Sequence, residues 1–232
     1  MNMRVDNTQL TVFGKFDSLE ATPEIVTRLF NLFKDENFLP SFTQVFQVNP
    51  QTNEIKSIKM PQLNGQADKC IISFLAERMD IKIPGEILQL NKYCEYFQKV
   101  LSEFSISPIR LAINTNRIVL ELTTDEIDAV GKHLIQRDAF PYEDSIEWSV
   151  RRVSREACSV KITDLVNICE NIQLTHIILP PAQPQTAIVV DTDINTLVGQ
   201  ATDSLEKNME LVFEGMKGHD KKLETALEVI LK

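Results

Sequence analysis

The chain has 232 residues, of which 43% are hydrophobic and 25% charged, and it carries a formal charge of −9. That composition supports a hydrophobic core without disulfide staples and excludes a wholly disordered chain. The acidic field disfavours broad, sequence-independent contact with phosphate backbones and leaves only local basic patches for such a role.

The cysteines Cys70, Cys94, Cys158 and Cys169 form no Cys-x-x-Cys pair, and their scatter argues against a disulfide framework. The start of the chain, Met1-Asn2-Met3-Arg4-Val5-Asp6-Asn7, has no apolar leader. No apolar run reaches the about 20 residues that a membrane helix needs. The expectation is a soluble, cytoplasmic protein with reduced thiols and no membrane partner.

In chain order, Leu10 to Phe16 reads as a strand. Thr22 then caps a helix, with Pro23 at its first position, where no N–H is required. Ile25, Val26, Leu29, Leu32 and Phe33 form its apolar stripe. Phe42 to Val48 and Ile55 to Met60 read as strands, the second closed by Pro61 and followed by a polar loop from Gln62 to Asp68. Cys70 to Phe74 and Met79 to Ile83 form a hairpin pattern. Glu86 to Phe104 is the strongest helical segment, with Ile87, Leu90, Cys94, Phe97, Leu101 and Phe104 on one face.

Arg110 to Ile113 and Arg117 to Leu122 suggest a second hairpin around a polar Asn114-Thr115-Asn116 turn. Thr123 and Glu126 have capping-box spacing before a helix with Ile127, Val130, Leu134 and Ile135 inward. Four strand candidates follow: Ile146 to Val153, Ala157 to Ile162, Ile172 to Leu179 and Thr186 to Val190. The Pro180-Pro181-Ala182-Gln183-Pro184 run is a loop. From about Ala201 the chain is helical to its end, either as one helix or as two divided near Gly215 and Gly218.

The two short helices share a pattern. Thr22, Glu24, Ile25, Leu32 and Phe38 recur as Thr124, Glu126, Ile127, Leu134 and Phe140 at one constant offset, and only the proline slips, from Pro40 to Pro141. Asn7-Thr8 and Val12-Phe13 likewise resemble Asn114-Thr115 and Val119-Leu120. The expected fold is therefore α+β, with β-α-β-β-β-β-α units over residues 1–106 and 107–232 in one pseudo-symmetric body. An antiparallel sheet would be covered by helices. This element order resembles the TATA-binding-protein fold, an analogy of fold that carries no function.

The order of features also resembles an uncharacterised, sporadically distributed bacterial family of about this length. The features that carry the likeness are the N-terminal strand-helix unit, the segment Cys70 to Lys82 before a long helix, Ile113-Asn114-Thr115-Asn116-Arg117-Ile118, and Asp191-Thr192-Asp193-Ile194 leading into the last helix. Some members of that family lie near phage-defence genes. The resemblance implies an accessory or defence-associated role and supplies no catalytic residues.

Chemistry-bearing patterns are sparse. The spacing of Cys158, Cys169 and His176 fits no compact zinc site, so no metal or other cofactor is expected; Cys169 with His176 stays open as a nucleophile pair. No Walker-type or Gly-x-Gly-x-x-Gly loop occurs. Asp68, Asp80 and Lys82 have the composition of a Mg²⁺-dependent nuclease site, and equally that of a solvated strand face. Asp191-Thr192-Asp193 reads as a helix-start turn.

Arg151, Arg152 and Arg155 form the one concentrated basic patch, suited to an acidic partner, a nucleic acid or internal ion pairs. Leu205, Met209, Val212, Met216, His219 and Leu223 approximate a heptad seam. That seam can meet a partner protein, a second copy of the chain or the chain's own sheet, and a buried His219 would make such pairing pH-sensitive. The leading expectation is a non-catalytic interaction or accessory subunit in a bacterial anti-phage or toxin-neutralising system. A metal-dependent nuclease and a nucleic-acid module are the alternatives.

Overall fold

The computed structural model describes residues 2–48, 53, 55–135, 147–177, 185–200 and 202–230. The chain runs β1 (Asn2–Phe13), α1 (Pro23–Leu32), β2 (Phe38–Val48), β3 (Ile55–Gly65), β4 (Ile71–Leu75), β5 (Arg78–Pro84), α2 (Leu90–Glu103) and β6 (Arg110–Leu120). It continues through α3 (Thr124–Ile135), β7 (Trp148–Ala157), β8 (Leu165–Ile177), β9 (Gln185–Thr196), α4 (Thr202–Lys207) and α5 (Met209–Ile230). Among the described residues this is an α+β chain with one open antiparallel sheet of nine strands, ordered β2-β3-β4-β5-β1-β6-β9-β8-β7. No helix among them is long and apolar enough to cross a membrane.

The helix starts follow the local signals. Thr22 Oγ1 accepts the Ile25 N–H at 3.3 Å, with Pro23 opening α1. The Thr123–Glu126 box forms reciprocally: Glu126 N–H donates to Thr123 Oγ1 at 3.3 Å, and Thr123 N–H donates to Glu126 Oε2 at 2.7 Å. The expected 70–83 hairpin is present as β4 and β5. Ile25 and Ile127 are both half-buried, Ile25 against the larger apolar core and Ile127 against the smaller one. Phe140, Pro141, Ile146, Ile178, Leu179 and the run from Pro180 to Pro184 lie outside the described residues.

Arg110–Leu120 is a single strand and not the expected hairpin. It sits in the middle of the sheet, paired with β1 on one side and β9 on the other. The polar stretch stays extended because neighbours satisfy it. Asn114 Nδ2 donates to Asp191 Oδ1 at 2.7 Å, and Thr115 Oγ1 donates to Asp220 Oδ2 at 3.1 Å. Ladder bonds on both sides outweigh the turn preference of Asn.

The strand expected to close at Pro61 continues to Gly65. Gly65 N–H donates to Cys70 O at 2.8 Å, so alternate residues Gly65, Leu63 and Pro61 direct their backbone polar groups away from β2. The β3–β4 ladder covers only Gln62 to Asn64, so the missing donor of Pro61 breaks no bond.

Three strands, not four, follow α3 among the described residues. After β7 the chain turns, with Cys158 N–H donating to Asp164 O at 3.2 Å and Thr163 N–H to Val160 O at 3.1 Å. Asp191 and Asp193 lie inside β9 and not in a helix-start turn.

Two apolar cores lie under the helices. The larger joins α1, α2, α4 and the first half of α5 to the sheet; the smaller joins α3 and the end of α5 to β6, β8 and β9. The C-terminal helices divide at Asn208 and not at the glycines, and even there Val212 N–H still bonds Asn208 O at 3.0 Å. The glycines differ in surroundings. A methyl at Gly215 would lie 2.7 Å from Val160 Cγ2, whereas one at Gly218 would meet nothing within 4 Å. Gly218→Ala is therefore expected to raise stability by about 1 kcal/mol through helix propensity. Gly215→Ala is expected to lose that gain to overpacking, at a cost of about 1–3 kcal/mol. Paired thermal melts check the opposite signs.

Candidate binding face and charged cleft

The five α-helices among the described residues pack on one face of the sheet, over Leu10, Val12, Met79, Ile81, Ile113 and Val119. Side chains alternate across a strand, so the other face is set by the register. One row across it is Asp80–Thr11–Ala112–Asn195–Asn167–Arg155. The next is Lys82–Gln9–Asn114–Asp193–Cys169–Val153, and a third is Asn7–Asn116–Asp191–Asn171–Arg151. Across these three rows the helix-free face is thus rich in amides, with carboxylates at their centre; beyond them it turns apolar at Ile118, Leu120 and Ala187.

These side chains hold one another. Thr11 Oγ1 donates to Asp80 Oδ1 at 2.7 Å, Asn167 Nδ2 to Asn195 Oδ1 at 3.2 Å, and Asn195 Nδ2 to Asp193 Oδ2 at 3.1 Å. Ser149 Oγ donates to Asn171 Oδ1 at 2.8 Å and Arg155 Nε to Asn167 Oδ1 at 3.0 Å. Such a network presents fixed donors and acceptors with little freedom left to lose on binding.

Asp193 is the costly member. Burial pushes its carboxyl above the usual range, and Asp191 adds to that, outweighing Arg110, the Asn195 hydrogen bond and Arg78. Phe13 also belongs to this face, and the Arg110 guanidinium lies 3.8 Å over its ring. A base could not stack there without displacing Arg110.

The basic cluster is split. Arg151 and Arg155 stand on the helix-free face, whereas Arg152 shares the opposite face with Glu170, the residue directly across from it on β8. Glu170 itself is shifted upward, by burial first, against the pull of Arg152 and with a push from Glu156.

The nuclease trio does not converge. Asp68 is bound to Lys92 of α2 at 2.9 Å and Asp80 to Arg78 Nε at 3.0 Å, while Lys82 is exposed. Each carboxylate is already neutralised by a cation other than Lys82, and Asp68 lies on the helix side. Cys169 and His176 point to opposite faces of β8 because they are an odd number of residues apart. Burial pushes the Cys70 and Cys94 thiols up to about 12, which removes thiolate chemistry there at neutral pH.

The C-terminal seam is occupied within the chain and is not a free partner surface. Leu205, Met209, Val212 and Met216 are fully buried in the larger core, and Leu223 packs on the smaller one. The sheet supplies the apolar surface that a partner helix would otherwise offer. Between the two cores the seam turns polar. His219 Nδ1 is 3.3 Å from Glu156 Oε2, and Asp220 meets Arg117 of β6.

That second contact forms the floor of a cleft of about 640 Å³, lined by Thr8, Glu86, Ile87, Thr115, Lys217, Lys221 and Glu224 among others. Arg117 Nη1 donates to Asp220 Oδ1 at 2.9 Å and Nη2 to Oδ2 at 2.6 Å. The sequence concealed this floor by presenting Thr115 as a turn residue and Arg117 as the first residue of a hairpin strand. Among the described residues no group of three or more His, Cys, Asp or Glu side chains is arranged to hold a metal ion. Comparison of the chain with protein-family models and with curated proteins finds no match in either.

Proposed function

We propose that this chain is a non-catalytic interaction protein that receives a protein partner on its helix-free sheet face, around Asp191 and Asp193. The observation that carries the reading is Asp193. An asparagine there would fit the amide network without a desolvated charge. A carboxylate kept at such a cost is accounted for by a cation that arrives from outside, so the partner presents an arginine or lysine at the centre of the face.

The test is Asp193→Asn. The folded carboxyl titrates above its unfolded value of about 3.9. The protonated form therefore favours folding at low pH, and that contribution is lost as pH rises through the folded value. Asp193→Asn is expected to raise the melting temperature at neutral pH, with the gain shrinking below about pH 3.9. The tagged variant recovered from the native cell is expected to lose the partner that the unaltered chain retains. A more stable variant that keeps the same partner sinks the reading. So does metal-dependent turnover that disappears with Asp80→Asn.

The mirrored strand order, β1-β5-β4-β3-β2 on one side and β6-β9-β8-β7 on the other, supports a duplicated TATA-binding-protein-like unit over 1–106 and 107–232, one strand short in the second copy. The resemblance to a bacterial family with some members near phage-defence genes supports a cytoplasmic anti-phage or toxin-neutralising setting for the proposed interaction. A nucleic-acid ligand is the second reading, favoured by Arg151 and Arg155 standing on the same face as the amides. It requires salt-sensitive retention of an oligonucleotide that weakens when both charges are removed.

A further inference from the structure

The two edges of the sheet are unlike. β7 is an edge strand guarded by charge, with Arg151, Arg152, Arg155 and Glu156 along it. Its counterpart β2, Phe38–Val48, contains no charged residue. No strand among the described residues pairs with the outer side of β2. An apolar edge without charged residues is a template for another strand.

Of the eleven large apolar side chains exposed among the described residues, four belong to the β2–β3 ribbon: Leu39, Phe42, Phe46 and Ile55. Phe42 is 56% exposed and Phe46 64%. They share one face of the ribbon, because they are four residues apart on a strand.

The backbone direction is also settled. Gln66 N–H donates to Asn37 O at 3.3 Å, so odd-numbered residues of this segment bond inward to β3. The even-numbered residues direct their N–H and C=O groups outward. Pro40 is one of these, and its missing donor is lost from the edge and not from the β3 ladder. Phe42, Gln44 and Phe46 keep outward donors and acceptors.

We propose that β2 pairs antiparallel with β2 of a second copy about a two-fold axis at Gln44, extending the sheet across both chains. That register places Phe42 of each copy directly opposite Phe46 of the other, so the aromatic pair forms twice. It joins even-numbered residues to even-numbered residues, as the outward backbone groups require. A second copy fits this edge for an electrostatic reason as well. The chain carries a formal charge of −9, and two copies approach with least repulsion along a strand that has no charge. The proposal is independent of the partner on the helix-free face.

The test uses the purified full chain and analytical ultracentrifugation over a concentration series. The unaltered chain is expected to be a dimer. Phe46→Lys sets a charge against the aromatic of the other copy and is expected to weaken self-association on the order of tenfold or more, with an unchanged melting temperature only at concentrations where both proteins are monomeric, because Phe46 is exposed in the single chain. The Phe42→Glu, Phe46→Lys double variant places opposite charges across the axis twice and is expected to recover the dimer at low salt. A chain monomeric at every concentration overturns the proposal. A Phe46→Lys variant that dimerises as before overturns it by placing the contact elsewhere. Failure of the double variant to recover overturns the register and the proposal with it. Loss of the dimer in this experiment leaves partner capture by the Asp193 face unaffected, so the two readings fail separately.

Discussion

Asp220→Ala is expected to lower unfolding free energy by about 3–5 kcal/mol. Arg117 is 2% exposed, both of its terminal nitrogens bond Asp220, and Nε has no hydrogen-bond partner. Removing the carboxylate leaves a full charge, 2% exposed, without its partner at the floor of the cleft. It also strips the Thr115 hydroxyl of its acceptor. The large loss measures the stranded guanidinium and not the net worth of the pair. The double variant Arg117→Met, Asp220→Leu is accordingly expected to recover most of the stability, because no charge is then buried. Urea unfolding of the three proteins checks this. A loss below about 1 kcal/mol for Asp220→Ala would mean that water reaches Arg117 and that the pair behaves like an exposed one.

Phe213→Ala is expected to cost about 3–5 kcal/mol. Phe213 is fully buried and stacks on Phe97 with ring centroids 6.1 Å apart, where α5 crosses α2. The loss combines removed apolar burial with a cavity that neighbouring side chains fill incompletely. Phe97→Ala should cost a similar amount, since Phe97 is equally buried. The double variant is expected to fall short of the summed losses by about 0.5–1.5 kcal/mol, the share that belongs to the ring pair itself. Full additivity in denaturant titrations would show that the rings stabilise the fold only through separate burial.

The Arg117–Asp220 pair also explains how α5 keeps its place. Apolar residues on either side of it could slide by a turn along the sheet, since both cores accept aliphatic side chains. Asp220, and not Glu224 one turn further on, makes the bidentate contact that holds the helix at this point. The polar joint at His219 and Asp220 thus sets register where the apolar seam alone would be permissive. His219 lies within the chain's own packing, against Glu156, and is not offered to a partner helix.

Local signals were legible where both ends of the interaction lie close in the chain. Thr22 with Ile25 and Thr123 with Glu126 are three residues apart, and their caps form as the spacing predicts. The 70–83 hairpin and the buried face of α2 follow from alternation and from a three-four rhythm for the same reason. Asn114-Thr115-Asn116 was misread because its partners, Asp191 and Asp220, are far along the chain. A short polar run looks like a turn until a neighbouring strand satisfies it. One sequence signal did point to the helix-free face: polar residues recur at every second position in Asn7-Thr8-Gln9-Leu10-Thr11, Asp191-Thr192-Asp193-Ile194-Asn195 and Asn167 to Gln173. Period-two polarity marks a strand face but does not say that the three faces coincide.

The α+β class, the caps and the core faces of the helices are legible in the amino-acid sequence. These rest on periodicity and spacing, which are local quantities. Strand neighbours settle that Asp68 and Asp80 bind different cations, that the C-terminal seam packs on its own sheet, and that β2 is left as an uncharged edge. Those outcomes depend on which strands become neighbours, and strand pairing is settled by long-range burial and ladder bonds that no window of sequence contains.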